Sequence, residues 1–175
     1  MIISLTGFMG CGKSSVGRKL SELLCCDFID LDNEIVAWAG KSIPEIFAEE
    51  GEEGFRTIEA ERLREILVPR SDQSSMVLSL GGGTVMTSGC ADLVHADTIC
   101  VYLRASIGTL VNNLAEESEG RPMLRTSQGV SLRERIEDLM SIRSRTYEET
   151  AHIIIDTDGR TIDQISSEIM SLALD

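Results

Sequence analysis

Residues 2–24, IISLTGFMGCGKSSVGRKLSELL, contain a complete strand, loop and helix in sequence form. The apolar run Ile2 to Thr6 reads as a buried strand, and Lys13 to Leu24 carries apolar residues at helical spacing. Between them Gly7 to Ser14, GFMGCGKS, satisfies G-x-x-x-x-G-K-[ST], and it lies where that pattern has a mechanism. Glycines let backbone N–H groups converge on phosphate oxygens at a positive helix N-terminus. A lysine then supplies a mobile ammonium, and a serine hydroxyl can ligate Mg²⁺. At average residue abundances the pattern arises by chance in about 4 × 10⁻⁵ of windows, which sets aside an ordinary glycine turn. Gly10, Cys11, Gly12, Lys13, Ser14 and Ser15 are therefore the candidate phosphate-binding residues.

Outward from this unit, strand-like runs alternate with helical patterns, the signature of parallel βαβ units. Strands are expected at Ile2 to Thr6, Phe28 to Leu31, Met76 to Leu80, Thr98 to Leu103 and His152 to Asp156. Helices are expected at Lys13 to Leu24, Asn33 to Ala39, Ile43 to Glu50, Glu52 to Val68, Ser106 to Glu117, Leu132 to Thr150 and Ile162 to Leu174. Ser131 with Glu134 forms a capping-box pattern ahead of the sixth helix. Neither repeats nor linkers interrupt the series, so residues 1–175 read as one α/β layer structure. Glu116 to Gly129, polar and carrying Arg121 and Arg125, reads as a lid. Gly81 to Gly83 ends a strand where a close backbone approach is expected.

The chain has 175 residues, 42% hydrophobic and 26% charged, with three prolines, which places it in the ordinary globular class. A formal charge of −13 opposes non-specific binding to nucleic acid or anionic membrane. An anionic ligand would need a locally basic site. Of sixteen basic residues only Lys13, Lys19 and Lys41 are lysines and the rest are arginines, the side chain suited to gripping carboxylate and phosphate. Cys11, Cys25, Cys26, Cys90 and Cys100 show no C-x-x-C pair and no histidine at ligand spacing, so a reducing cytoplasm is the natural reading. No apolar run approaches the ~20 residues that span a bilayer.

The second strand ends in Phe28-Ile29-Asp30-Leu31-Asp32. Residues two apart in a strand share a face, which would present Asp30 and Asp32 together beside the phosphate loop. One could help bind Mg²⁺ through water and the other could take a hydroxyl proton. The competing reading is a polar strand end with Asp32 capping the next helix. A guanine-recognition N-K-x-D is absent. Asp156 after an apolar run is a weak metal candidate, and His95 and His152 lack catalytic partners in sequence. Cys11 reads as a small residue that fits the loop.

These motifs taken in order, GFMGCGKSSVGRKL, DFIDLD, SIPEIFAEEGEEGFRTIE, LSLGGGTV, RPML, IRSRTY and IIIDT, closely resemble the shikimate kinase family over nearly the whole chain. The resemblance implies a P-loop NTPase fold of the nucleoside-monophosphate-kinase-like kind. Its five-stranded parallel sheet has the order 2-3-1-4-5 and is flanked by helices, with substrate-binding helices at about 33–68 and the lid at about 116–129. It implies transfer of the ATP γ-phosphoryl group to the 3-hydroxyl of shikimate, within aromatic amino acid biosynthesis, by a cytoplasmic monomer that uses Mg²⁺. Arg56 and Arg143 would hold the shikimate carboxylate, and Asp32 would bind ring hydroxyls and orient or deprotonate the acceptor. Gly81, Gly82 and Gly83 would approach the ring by their backbone. Ser14 would ligate Mg²⁺ directly and Asp30 through water, while Arg121 and Arg160 would reach the nucleotide. Glu59, one helical turn beyond Arg56, would orient that arginine.

Two other readings share the phosphate loop. A related kinase for a sugar acid or nucleotide would lack the F-R, triple-glycine and R-x-x-x-Y set. A silent nucleotide sensor would lack Lys13 or Asp32. The chain also departs from its relatives. Where many of them sandwich adenine between an arginine and a proline, it carries Asn113 and Ile162, which predicts weak selectivity for the nucleotide base.

Overall fold

The computed structural model describes residues 1–68, 75–115, 122–124 and 129–174. Five strands form one parallel sheet: β1 (Ile2–Thr6), β2 (Asp27–Asp30), β3 (Met76–Ser79), β4 (Ile99–Arg104) and β5 (Ile153–Asp156). Their order is β2-β3-β1-β4-β5, as expected. In register, Asp30 lies beside Ser79 and Ser79 beside Leu5, so three strands end on one level. The loops that leave this carboxyl edge converge, and in open α/β sheets that edge is where ligands bind.

Among the described residues seven α-helices connect and cover the strands: α1 (Lys13–Leu24), α2 (Leu31–Ala39), α3 (Ile43–Leu67), α4 (Cys90–Asp97), α5 (Ile107–Leu114), α6 (Leu132–Thr150) and α7 (Ile162–Leu174). Helices α1 and α7 pack together on one face, where Ser166 Oγ of α7 donates to the Val16 carbonyl of α1. Gly17 lets α1 lie close against the sheet, because a Cβ there would lie 2.4 Å from the Phe28 ring of β2 and 3.3 Å from Leu5 of β1. Helices α4 and α6 cover the other face, and Tyr102 of β4 stacks on Tyr147 of α6 with ring centroids 5.1 Å apart. Covered on both faces, Ile3, Leu5, Val77, Leu78, Val101 and Leu103 are wholly buried, which is why these strands read as continuous apolar runs.

Three helices differ from expectation. Helix α2 begins at Leu31 rather than Asn33, because Asp30 caps it: Asp30 Oδ1 accepts from the N–H groups of Asp32 and Asn33 at 3.1 and 3.3 Å. Asp32 is thus in the first helical turn and not in a strand, which corrects the shared-face argument. Helix α4 was not expected; its eight residues bury only Cys90 and Val94, too few to set a period. Helix α5 ends at Leu114. The break anticipated in α3 is present, with Gly51 at φ 69° and ψ −176° between two helical stretches. The Ser131–Glu134 capping box forms as read.

Candidate active site

The phosphate loop leaves β1 at Thr6 and enters α1 through Gly12, whose φ of 97° belongs to the left-handed region that glycine occupies without strain. No side chain caps α1, so its first N–H groups remain open to a cavity of about 430 Å³. Gly10, Gly12, Lys13, Ser14 and Ser15 line that cavity, and Asp30, Asp32 and Asn113 complete its rim. The loop is braced from α5: Asn113 Nδ2 donates to the Gly10 carbonyl at 2.8 Å. Cys11 is buried away from the lining, consistent with a small packed residue. The Lys13 ammonium folds back onto the loop, donating to the Gly7 and Phe8 carbonyls at 2.8 and 3.0 Å. A phosphate entering the cavity would offer it charged oxygens in place of those neutral ones.

Asp30 has two tasks. While Oδ1 caps α2, Oδ2 accepts from Ser14 Oγ at 2.6 Å, joining the phosphate loop to the end of β2. Asp32, one residue into α2, faces the same cavity. The carboxylates do come together beside the loop, through a strand-to-helix junction rather than the pleat of a strand.

A second cavity, of about 110 Å³, adjoins the first and shares Met9, Asp32 and Gly82 with it. Arg56, Arg143 and the Gly81–Gly83 backbone line it, together with the apolar side chains of Ile43, Phe47 and Phe55. Each arginine is held. Arg56 Nη1 donates to Glu59 Oε2 at 2.6 Å, so the expected orienting partner is in place. The second Glu59 oxygen accepts from Thr84 Oγ1, also at 2.6 Å. Arg143 Nη1 donates to the Gly82 carbonyl at 3.3 Å, and its guanidinium lies 5.7 Å from the Phe8 ring centroid. The Tyr147 hydroxyl donates to that same carbonyl, and burial pushes its pKa well above the ordinary value.

The triple glycine is explained by these side chains. A Cβ on Gly83 would lie 2.4 Å from Arg56 Nη2, and one on Gly81 would meet Glu59 Oε1, Asp32 Oδ1 and Thr84 Oγ1 at 2.7 to 3.0 Å. The space that side chains would fill at 81 and 83 belongs to the site's own charged groups.

The remaining candidates are dispersed. Arg121 and most of the lid lie outside the described residues; Pro122 and Met123 line the second cavity. Arg160 hydrogen-bonds the Asp156 carbonyl at 3.2 Å and pairs with Glu168, outside the lining of either cavity. Asp156 is engaged by Arg104 through two hydrogen bonds of 2.6 and 3.0 Å, which hold its carboxyl below the usual range, and it lies outside the lining of either cavity. Tyr147 and Thr84 were not singled out. The R-x-x-x-Y spacing places Tyr147 one turn from Arg143 and could have signalled it, whereas no local pattern links Thr84 to Glu59, 25 residues away.

Residues 9–173 match the family model described as shikimate kinase. The chain belongs to the shikimate kinase family. It is 37% identical to the shikimate kinase of Chlorobium phaeobacteroides over 177 aligned residues, covering 96% of this chain and 90% of that one. It is 39% identical to that of Thermus thermophilus, covering 96% and 87%. Among solved structures, the Acinetobacter baumannii shikimate kinase in complex with shikimate superposes with a TM-score of 0.90 at 34% identity, over 99% of this chain and 92% of that one. The Bacteroides thetaiotaomicron shikimate kinase gives 0.87 at 27% identity, over 100% and 99%.

Proposed function

We propose that this chain transfers the γ-phosphoryl group of ATP to the 3-hydroxyl of shikimate, giving shikimate 3-phosphate and ADP. The observation that carries this reading is the meeting of two cavities at Met9, Asp32 and Gly82, one built for phosphate and the other holding two oriented arginines. Shikimate has one carboxylate and three hydroxyls. Arg56 and Arg143 grip the carboxylate, the apolar wall of Phe47 and Phe55 covers the ring, and Asp32 receives a ring hydroxyl. The carboxylate of Asp32 accepts the hydroxyl proton as the acceptor oxygen bonds to the γ-phosphorus. The bond from that phosphorus to the bridging oxygen breaks and ADP departs. Backbone N–H groups of Gly10 to Ser15 and the Lys13 ammonium stabilise charge on the phosphates, and Arg121 adds to this from the lid.

The Ser14 hydroxyl and Asp30 carboxylate are adjacent hard oxygen donors, a set that suits Mg²⁺. Ser14 would hold the ion directly and Asp30 through water. When bound, the ion neutralises phosphate charge as the transfer proceeds.

Five free thiols support a reducing, cytoplasmic setting, and the folded-back Arg160 becomes a nucleotide contact once ATP enters. With Asn113 bonded to the loop instead of presenting a cation to the base, selectivity for adenine is weak. The test is coupled ADP release over hydroxylated acids, sugars and nucleotides, with ATP or GTP as donor. Shikimate is expected to be the preferred acceptor, with GTP used within about tenfold of ATP in kcat/KM, under ~1.4 kcal/mol of discrimination. A sugar acid or nucleotide preferred over shikimate would overturn the acceptor, and a hundredfold preference for ATP would overturn the account of the base.

A further inference from the structure

Thr84 opens a short 3₁₀ turn (Thr84–Met86) directly after the triple glycine. It is wholly buried and so is Glu59, which also lines the second cavity. Within this enclosure the Glu59 carboxylate is used on both sides. Oε1 accepts from Thr84 Oγ1 and Oε2 accepts from Arg56 Nη1, each at 2.6 Å. A carboxylate held on one side only can turn about its last bond. Held on both, it presents Oε2 in one direction. The threonine is fixed in turn, since its N–H donates to the Gly81 carbonyl at 3.2 Å and the turn closes through Met86 N–H onto Gly83 O at 3.0 Å.

From this geometry we infer that Thr84 is a positioning residue for the acid substrate, acting through Glu59 on Arg56. The inference rests on the reading of Arg56 as a carboxylate anchor. Arg56 commits Nη1 to Glu59, its Nε lies 3.8 Å from Glu52 Oε1, and the residue lines the second cavity. If Glu59 turned, the guanidinium would follow and the fork would no longer meet a carboxylate with two bonds.

The test compares Thr84→Val, which keeps the shape and removes the hydroxyl, with Thr84→Ser, which keeps the hydroxyl. For each, KM for shikimate, KM for ATP, kcat and the thermal midpoint are measured. A buried bond to a charged group is lost in the valine variant, so shikimate KM should rise by about tenfold or more. Its kcat should stay within about threefold and its ATP KM within about twofold of the parent. Serine should restore shikimate KM to within about threefold. An unchanged shikimate KM in Thr84→Val, or a Thr84→Ser protein as impaired as the valine variant, would overturn the inference. If valine does not fold, Thr84→Ala supplies the hydroxyl-free comparison under the same criteria. Arg56→Lys in the parent separates the two levels. A raised shikimate KM there with none in Thr84→Val removes only the role of Thr84, whereas no change in Arg56→Lys removes the anchor itself.

Discussion

Asp32 is the residue on which the proposed chemistry turns, because among the described residues it alone of the titratable groups lines both cavities. Asp32→Asn keeps its shape and removes its capacity to take a proton. The expected result is a kcat lower by roughly 10² to 10⁴ with ATP affinity nearly unchanged, measured by steady-state kinetics and calorimetric titration. A fall of less than tenfold would leave Asp32 only an orienting role. Residues to which the proposed reaction gives a chemical task stand out at this scale: Lys13 and Ser14 by the phosphate-loop spacing, Asp30 and Asp32 by type and by their place after the second strand. Residues whose task is to hold others were less legible. Thr84 and Tyr147 act through hydrogen bonds to positions 25 and 65 residues away, and no local pattern records such a bond.

Between residue and molecule, the junctions of elements carry most of what differed from expectation. At the start of α2, one carboxylate caps a helix and engages the phosphate loop together, so the strand ends a residue earlier than its apolar run suggests. At the end of α6, His95 and His152 stack with ring centroids 4.2 Å apart. His95 Nδ1 donates to the Thr150 carbonyl at 3.0 Å, and His152 Nδ1 accepts the Cys100 N–H at 3.0 Å, a bond that requires an unprotonated nitrogen. Burial, and then the neighbouring His95, lower the His152 pKa below its ordinary 6.5. Below that value the unfolded chain binds the proton more readily than the folded one. The contribution to stability is therefore complete above the ordinary pKa and is lost as pH falls through the lowered one. Urea unfolding at pH 7.5 and pH 5 should show a larger loss of midpoint in the parent than in His152→Asn, whose amide oxygen can still accept from Cys100. Equal losses would contradict this. Paired roles of this kind arise only when β4, β5, α4 and α6 are assembled, and α4 is too short to be read beforehand.

For the molecule as a whole, the alternation of apolar runs and amphipathic stretches foretells a parallel sheet covered on both faces, while the strand order followed from the resemblance to the family and is the order observed. A net charge of −13 surrounds a crevice furnished with Lys13, Arg56 and Arg143, so anions are drawn to one place on a surface that otherwise repels them. Two cavities that touch at a single carboxylate make the central claim one of direct transfer between two bound molecules. Phosphorus NMR of a reaction containing ATP, Mg²⁺ and shikimate tests it. The account predicts one new phosphate monoester, coupled to the hydrogen on ring carbon 3 and formed in equal amount with ADP. ADP accompanied by inorganic phosphate alone, or an ester at another ring position, would contradict it.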